Sequence, residues 1–564
     1  MASQRILVVG GSAAGPKAAA RAKRLDQDAH VIMIQKAPEL SMASCGYPYY
    51  VGGFFDRREE LLCTPTGVVR DENFFAGAKG IEARTETEVV AIDREAKQVS
   101  CKDLRSGETY ALDYDKLILA TGATPRMPPI PGTDLDGITT LHAMRDADYL
   151  RSLRDEGGVR KAVVIGGGLI GIETCEALQL AGMEVTVVEL LPQILMFLDW
   201  ELAKLLENHV KEKAANVITD NAVSGFLGQN GKLSGIKLQS GTELECELAV
   251  VAIGVQPNVQ LAREAGLDIG VTGGIAVDEQ MRTSDPAIFA AGDCIEVPDR
   301  LTGKKTLAPY GDLANLEGRV AGENAVLESG ATFPGTQHTG ICKVFDYAAG
   351  STGLSERKAR EAGFNVLTGV NASLDKPGFM GGKLLVSKMV VDADSQRMLG
   401  YQCVGPGDVS RQISEAAMAI AGKQTIPDLV NADLPYAPPF SLAIDHLIAA
   451  AHIVENKLKG RMVGIANTEV KAKLDSGEHP FFLDVRGPAE FEAMRLGLGE
   501  TLIPLGKLRD RLGELPQDKD KEIICYCKIS MRGYEAQRIL WAHGWTDIKV
   551  MEGGIMAWPY GREK

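Results

Sequence analysis

Long apolar runs are missing from this sequence: none approaches the roughly 18 residues that a membrane-spanning helix needs. A basic excess is missing too. Lys and Arg number 61 against 75 Asp and Glu, a formal net charge of −14. That balance excludes the basic footprint of a nucleic-acid binder. No leader is written at the start, because the chain enters Ile6-Leu7-Val8-Val9 almost at once, without an n-region or a cleavage site. The expected location is therefore cytoplasmic, with no membrane and no nucleic-acid partner. Cysteine is sparse, at 10 in 564 residues, and too scattered for a disulfide scaffold. There is no CxxC and no Cys/His cluster, so no metal is assigned. Histidine is scarce as well, at 8, and His446 and His452 read as structural. What remains is 45% hydrophobic and 24% charged, the composition of a globular enzyme, in a chain long enough for about three or four domains.

Two βαβ units stand out. Ile6–Val9 reads as a buried strand, Gly10-Gly11-Ser12-Ala13-Ala14-Gly15 as a tight turn, Lys17–Leu25 as a helix and Val31–Ile34 as the next strand. Gly10 and Gly15 with the small Ser12 and Ala13 let backbone approach a pyrophosphate at a helix N-terminus. The ribose-binding acid of this fingerprint is replaced by Gln35, whose amide can still hydrogen-bond a hydroxyl. The second unit matches GxGxxG in full: strand Lys161–Ile165, then Gly166-Gly167-Gly168-Leu169-Ile170-Gly171, a helix over Ile172–Ala181 and a strand over Val185–Val188. It ends in Glu189, close to the expected spacing of about 20 residues. A carboxylate there accepts from a ribose 2′-hydroxyl and repels a 2′-phosphate, which reads as NADH over NADPH.

Three further segments run from strand into small residues: Tyr114–Pro125, Ala252–Asn258 and Thr283–Cys294. Asp293, after Gly292 at a strand end, is placed to hold a flavin ribityl hydroxyl. Between the two units lies Ser41-Met42-Ala43-Ser44-Cys45-Gly46-Tyr47-Pro48-Tyr49-Tyr50. One cysteine sits there among small residues and a Pro turn. It is the candidate reactive thiol, and such a thiol is expected where its pKa is lowered and access is kept.

Together, the two dinucleotide folds, the ATG of Thr121 and Gly122, the late GD of Gly292 and Asp293, and the SxxxCGxPYY cysteine resemble the flavin-dependent pyridine nucleotide-disulfide reductases. Cys45 has no partner five residues away, so the likeness is to the single-cysteine branch: coenzyme A disulfide reductases, NADH oxidases and persulfide reductases. The resemblance spans about residues 1–455 and implies FAD in the first fold, with Lys36, Val89 and Ala314 beside it, and NAD in the second, with Ile170 and Gly254. It implies a homodimer with shared active sites, to which the partner subunit brings a tyrosine from a YAPPY segment. Tyr436-Ala437-Pro438-Pro439-Phe440 matches that segment, making Tyr436 a catalytic candidate. Coenzyme A contacts are implied at Arg21 and Arg24 (with Lys23 nearby), Ser41 and Ser44. Two cationic family positions are lost, at Ile444 and Asn73, and a tyrosine pair is replaced by Phe379-Met380. Each lost charge-assisted contact is worth about 1.5–3 kcal/mol, so activity on coenzyme A disulfide is expected to be weak.

The last hundred or so residues resemble a rhodanese (sulfurtransferase) domain. Asp484-Val485-Arg486 ends one strand, Cys527-Lys528-Ile529-Ser530-Met531-Arg532 forms a loop before a helix over Gly533–Ala542, and Gly553–Trp558 gives GGxxAW. Loop N–H groups and Arg532 favour a thiolate or persulfide on Cys527, while Cys525, on the strand, is expected to be buried. Ser530 stands where a glycine is usual.

The expected fold class is α/β: two Rossmann-type dinucleotide-binding domains, an α/β dimerisation domain and a C-terminal rhodanese-like α/β domain. The expected boundaries are FAD-binding 1–150 and 278–328, NAD-binding 151–277, dimerisation 329–455, a polar linker 456–461 and rhodanese-like 462–564. The expected function is an NADH-dependent FAD flavoprotein that reduces persulfides, polysulfides or low-molecular-weight disulfides through Cys45, with Cys527 handling sulfane sulfur. Coenzyme A disulfide reductase, NADH oxidase or peroxidase, and a redox sensor or sulfur carrier are the alternatives.

Overall fold

The computed structural model describes residues 4–327 and 330–563. Two compact units emerge. One comprises the chain up to Leu190 with Asp220–Thr336; the other comprises Leu191–Thr219 with the chain from Gln337 onward.

In the first unit, strand β1 (Arg5–Val9), helix α1 (Ala14–Leu25) and strand β2 (His30–Ile34) build a parallel sheet. Its order is Ile288–Ala290, Lys116–Leu119, β1, β2, Glu82–Arg84. Strands of this kind are buried on both faces, which explains the unbroken apolar runs Ile6–Val9 and Val31–Ile34. The fold repeats with β3 (Lys161–Ile165), α2 (Leu169–Leu180) and β4 (Glu184–Val188), where β3 lies in parallel between β4 and Leu248–Val251. Helix α3 (Gly311–Leu327) packs along α1. Gly318 and Gly322 meet the α1 backbone so closely that a Cβ at either would stand 2.3 Å from a carbonyl oxygen.

The second unit holds two sheets. One is antiparallel, in the order Gly340–Val344, Tyr347–Gly353, Met398–Gly405, Leu384–Asp392, Val366–Leu374. Helices Val409–Ala421 and α4 (His446–Leu458) pack on it. The other is parallel, in the order Gly464–Ile465, Ile548–Met551, β5 (Ile523–Tyr526), Phe481–Asp484, Thr501–Leu502, with α5 (Met531–Ala542) following β5.

Two charged stretches are held by buried partners. Residues 191–219 group with the second unit. There buried Lys388 is met by Asp199 at 3.2 Å, Glu201 at 2.5 Å and Glu356 at 2.7 Å, and Gln402 bonds both the amide and the carboxylate of Asp199. Residues 456–461, read as a linker, begin within a helix. Helix α4 runs to Leu458, and Lys457 donates to Thr368 O at 2.6 Å and pairs with buried Glu552. A polar composition looks the same whether its charges face water or a buried carboxylate.

Candidate active site

The two glycine loops reach the same solution with different side chains. Gly10 and Gly166 adopt φ of +113° and +106°. A Cβ at Gly15 would stand 1.8 Å from Gly10 O, and one at Gly171 would stand 1.9 Å from Gly166 O. Only glycine allows the first turn of each helix to approach its strand this closely. Gln35 Oε1 accepts from Gly11 N–H at 3.0 Å while its Nε2 donates to Glu39 O. Glu189 Oε2 accepts from Gly167 N–H at 2.6 Å. Neither helix carries an acidic residue in its first turn, so the first-turn amides meet no carboxylate from their own helix, as a pyrophosphate requires. The residues present fit two dinucleotides.

Beside the first loop, Thr121 and Asn258 exchange hydrogen bonds at 2.7 and 2.9 Å, and Asn258 N–H reaches Gly122 O. Gly254, at φ +95°, offers its carbonyl to Arg126 N–H. Ser41 N–H donates to Gly11 O, tying the cysteine segment to the glycine loop. Gly292 N–H donates to Glu317 Oε2 at 2.8 Å. Glu317 and Ala314 are buried on α3, and burial pushes the Glu317 carboxyl up to about 7. Burial also raises the Asp293 carboxyl, against which only its own backbone amide acts. A half-buried carboxylate held in this way is ready to accept from a ligand hydroxyl. Lys36 is exposed and pairs with Glu88 at 2.7 Å. Val89 lies on strand Thr87–Asp93, Gly168 caps α2, and Ile170 is exposed in its first turn.

Cys45 is exposed, in the middle of a short 3-10 turn over Ser44–Gly46 that continues into helix Tyr47–Gly52. Gly311, the first residue of α3, faces it: a Cβ there would stand 3.9 Å from Cys45 Sγ. Burial of the thiol's inner side, followed by Glu173, Asp293 and Asp312, raises the Cys45 pKa. The lowered pKa expected from sequence is not what this packing gives: burial first, and then the three carboxylates, raise it. Glu173, on α2, accepts from Tyr49 O–H at 3.3 Å, and burial pushes its carboxyl up to about 7. Neither Glu173 nor Glu317 was singled out from sequence. Glu173 sits two residues past Gly171, and that proximity to the fingerprint was the only signal available.

The basic face of α1 is largely engaged. Arg21 Nε donates to Glu323 at 3.0 Å, and Lys23 Nζ to Gln27 O and Ala29 O. Glu323, on α3, is thus the counter-ion of Arg21. Arg24 and Ser44 are exposed.

In the second unit, Tyr436 is 55% exposed, alongside Phe379, Phe440 and Ile444 at 81%, 72% and 52%. His446 is buried between Ser373 and Ser387, at 2.7 and 2.8 Å, with its pKa depressed to about 3 by burial, and so is neutral. Cys525 and Cys527 are buried at the end of β5. Arg532 lies in the first turn of α5 rather than in the preceding loop. It contacts Cys527 and forms a bidentate pair with Glu490 at 2.7 and 2.8 Å. Ser530 takes φ +83°, the conformation that a glycine would adopt freely, and its Oγ donates to Met551 O.

Residues 4–308 match the model of pyridine nucleotide-disulphide oxidoreductases, 339–448 the dimerisation domain of that family, and 466–559 the rhodanese-like domain. An NAD-dependent persulfide reductase from A. fulgidus superposes with a TM-score of 0.93. The two share 42% identity over 98% of this chain and 100% of that one. Reduced Bacillus anthracis CoADR-RHD gives 0.91 at 34% identity, over 99% of this chain and 98% of that one. The NAD(P)H coenzyme A polysulfide/persulfide reductase of Pyrococcus horikoshii is 34% identical over 80% of this chain and 98% of its own length.

Proposed function

The chain belongs to the pyridine nucleotide-disulphide oxidoreductases, and from that premise we propose that it is an NAD(P)H-dependent FAD enzyme reducing persulfides, polysulfides and small disulfides through Cys45. The observation that carries this reading is one lone accessible thiol beside paired dinucleotide folds, in a chain that also holds a rhodanese-like domain. Bound FAD supplies the relay of an electron pair from the nicotinamide to sulfur. Gly10, Ser12, Ala13, Gly15, Gln35, Thr121, Gly122, Gly292 and Asp293 hold it, while Gly166, Gly168, Gly171 and Glu189 hold the nicotinamide dinucleotide.

Cys45 acts as thiolate. It attacks the outer sulfur of R–S–SH, the S–S bond breaks and R–SH leaves. The resulting Cys45–S–S⁻ takes up two electrons and one proton to regenerate the thiolate and release HS⁻. Glu173, with its carboxyl near 7, is the nearby proton store. Cys527 carries sulfane sulfur in the rhodanese-like domain. The exposed Tyr436, Phe440, Phe379 and Ile444 support a homodimer interface through which Tyr436 reaches the partner's thiol. Coenzyme A is a thiol carrier for the persulfide, with Arg24 as its available cation.

Anaerobic initial rates of NADH oxidation with a small persulfide, polysulfide, coenzyme A disulfide and, separately, oxygen test the reading. Faster turnover with persulfide or polysulfide is the expected result. Faster turnover with oxygen overturns it in favour of an oxidase.

A further inference from the structure

Sulfur transfer at Cys527 requires anions to meet there, and the local charge decides which anions. This inference rests on the reading that Cys527 handles sulfane sulfur. Arg532 contacts the Cys527 sulfur. Its guanidinium is already bidentate on Glu490, Nη1 to Oε2 at 2.7 Å and Nη2 to Oε1 at 2.8 Å. Both side chains are about one-third exposed, at 34% and 37%, whereas Cys527 is buried. Glu490 is fixed in place by Gly487 N–H at 3.1 Å. Arg532 in particular holds its carboxyl down at about 2, so the negative charge persists at any working pH. Arg486 offers no replacement. It is clasped to Asp484, and two further N–H groups go to Glu490 O and Met494 O. Lys528 is exposed, where a charge is screened.

We propose that Glu490 determines the donor specificity of the rhodanese-like site, favouring monoanionic organic persulfides over dianionic thiosulfate. With thiosulfate, Cys527–S⁻ attacks the sulfane sulfur, the S–S bond to the sulfonate breaks, and sulfite leaves with the electron pair. Three negative charges share that transition state. With R–S–S⁻ the same attack expels R–S⁻, and two charges share it. No external oxidant or reductant enters either exchange. The Arg532–Glu490 pair is neutral overall, so the third charge meets no uncompensated cation.

The test uses the full-length flavoenzyme, with cyanide as acceptor, thiocyanate as product and the Cys527→Ser rate subtracted. Glu490→Gln is expected to raise the ratio of kcat/KM for thiosulfate to that for cysteine persulfide by about three-fold or more. That is the weight of one unit charge acting on one extra negative charge across about 7 Å of water. The gain should fade with added salt, and Glu490→Asp should restore the wild-type ratio. In the wild type itself, thiosulfate kcat/KM should not fall as ionic strength rises, because screening weakens a repulsion rather than an attraction, a measurement that needs no variant to fold. A ratio unchanged or lowered in Glu490→Gln, or a steep fall with salt in the wild type, overturns the proposal. Wild-type enzyme that takes sulfur from neither donor overturns the reading of Cys527 itself, and the proposal with it.

Discussion

Replacing Glu552 by alanine should loosen the second unit without touching the flavin site. The Glu552 side chain is 4% exposed and that of its partner Lys457 is 13% exposed. Glu552 Oε2 also accepts from Val370 N–H at 3.0 Å. One carboxylate thus joins strand Val366–Leu374, helix α4 and the segment that follows strand Ile548–Met551. Removing it leaves a buried ammonium without its counter-ion, which costs about 3–5 kcal/mol. The orphaned Val370 amide falls within that figure rather than adding to it. At roughly 2–4 °C per kcal/mol for a unit of some 250 residues, the midpoint should fall by about 6–20 °C. Trp200, Trp541, Trp545 and Trp558 all lie in the second unit, so tryptophan fluorescence reports its unfolding and flavin fluorescence reports the first unit. Only the tryptophan transition should move. A Lys457→Met, Glu552→Leu double variant, which removes both charges, should recover most of the loss. A Glu552→Ala midpoint within 2 °C of wild type would refute the argument that this pair clamps the unit.

Cys45→Ser should abolish persulfide reduction yet leave flavin reduction by NADH largely intact, as read by stopped-flow absorbance, because the thiol acts after hydride transfer. Wild-type flavin should be reduced faster by NADH than by NADPH at equal low concentration. Glu189→Gln should narrow that preference by about ten-fold, since the carboxylate repels a 2′-phosphate. Glu173→Gln removes the first of the carboxylates that raise the Cys45 pKa. Its thiolate fraction at pH 8 should rise, so iodoacetamide should label Cys45 several-fold faster than in wild type, and the pH–rate curve should shift to lower pH. Ser530→Gly should stabilise the second unit by at most about 1 kcal/mol, as relief at φ +83° is offset by loss of the bond to Met551 O. A large destabilisation would mean that the hydroxyl matters more than the backbone.

Legibility tracked the distance over which each signal acts. Strand β1, its glycine turn and α1 are local, so Ile6–Val9 and Gly10–Gly15 were readable from periodicity and small residues alone. The β5–Cys527–α5 sequence was readable for the same reason, apart from the helix starting at Met531 and taking in Arg532. The partners of charged side chains were not readable. Arg21 reads as a coenzyme A contact, and its ion-pair partner Glu323 lies 302 positions away. Lys457 reads as linker, and its partner Glu552 lies on another element. In each case, a charge was assigned to solvent or substrate because its counter-charge lies on another element. The raised Cys45 pKa, due first to burial, has the same kind of origin in its electrostatic part, since Glu173, Asp293 and Asp312 come from three separate segments.

The parallel between the two glycine loops carries the argument one step further. Gln35 and Glu189 occupy the same place at the ends of β2 and β4, and each accepts from the second glycine of its own loop. An amide supports that bond as well as a carboxylate does, which is why the loop at Gly10 keeps its shape although the usual acid is absent. The two side chains differ in charge. Glu189 adds repulsion of a 2′-phosphate, whereas Gln35 adds none and leaves its Nε2 on Glu39 O. On the proposed assignment, selectivity against a phosphorylated ribose would therefore belong to the second site. In the first, on the same assignment, backbone amides and Asp293 would carry the grip on the dinucleotide, and Gln35 would add hydrogen bonds without charge.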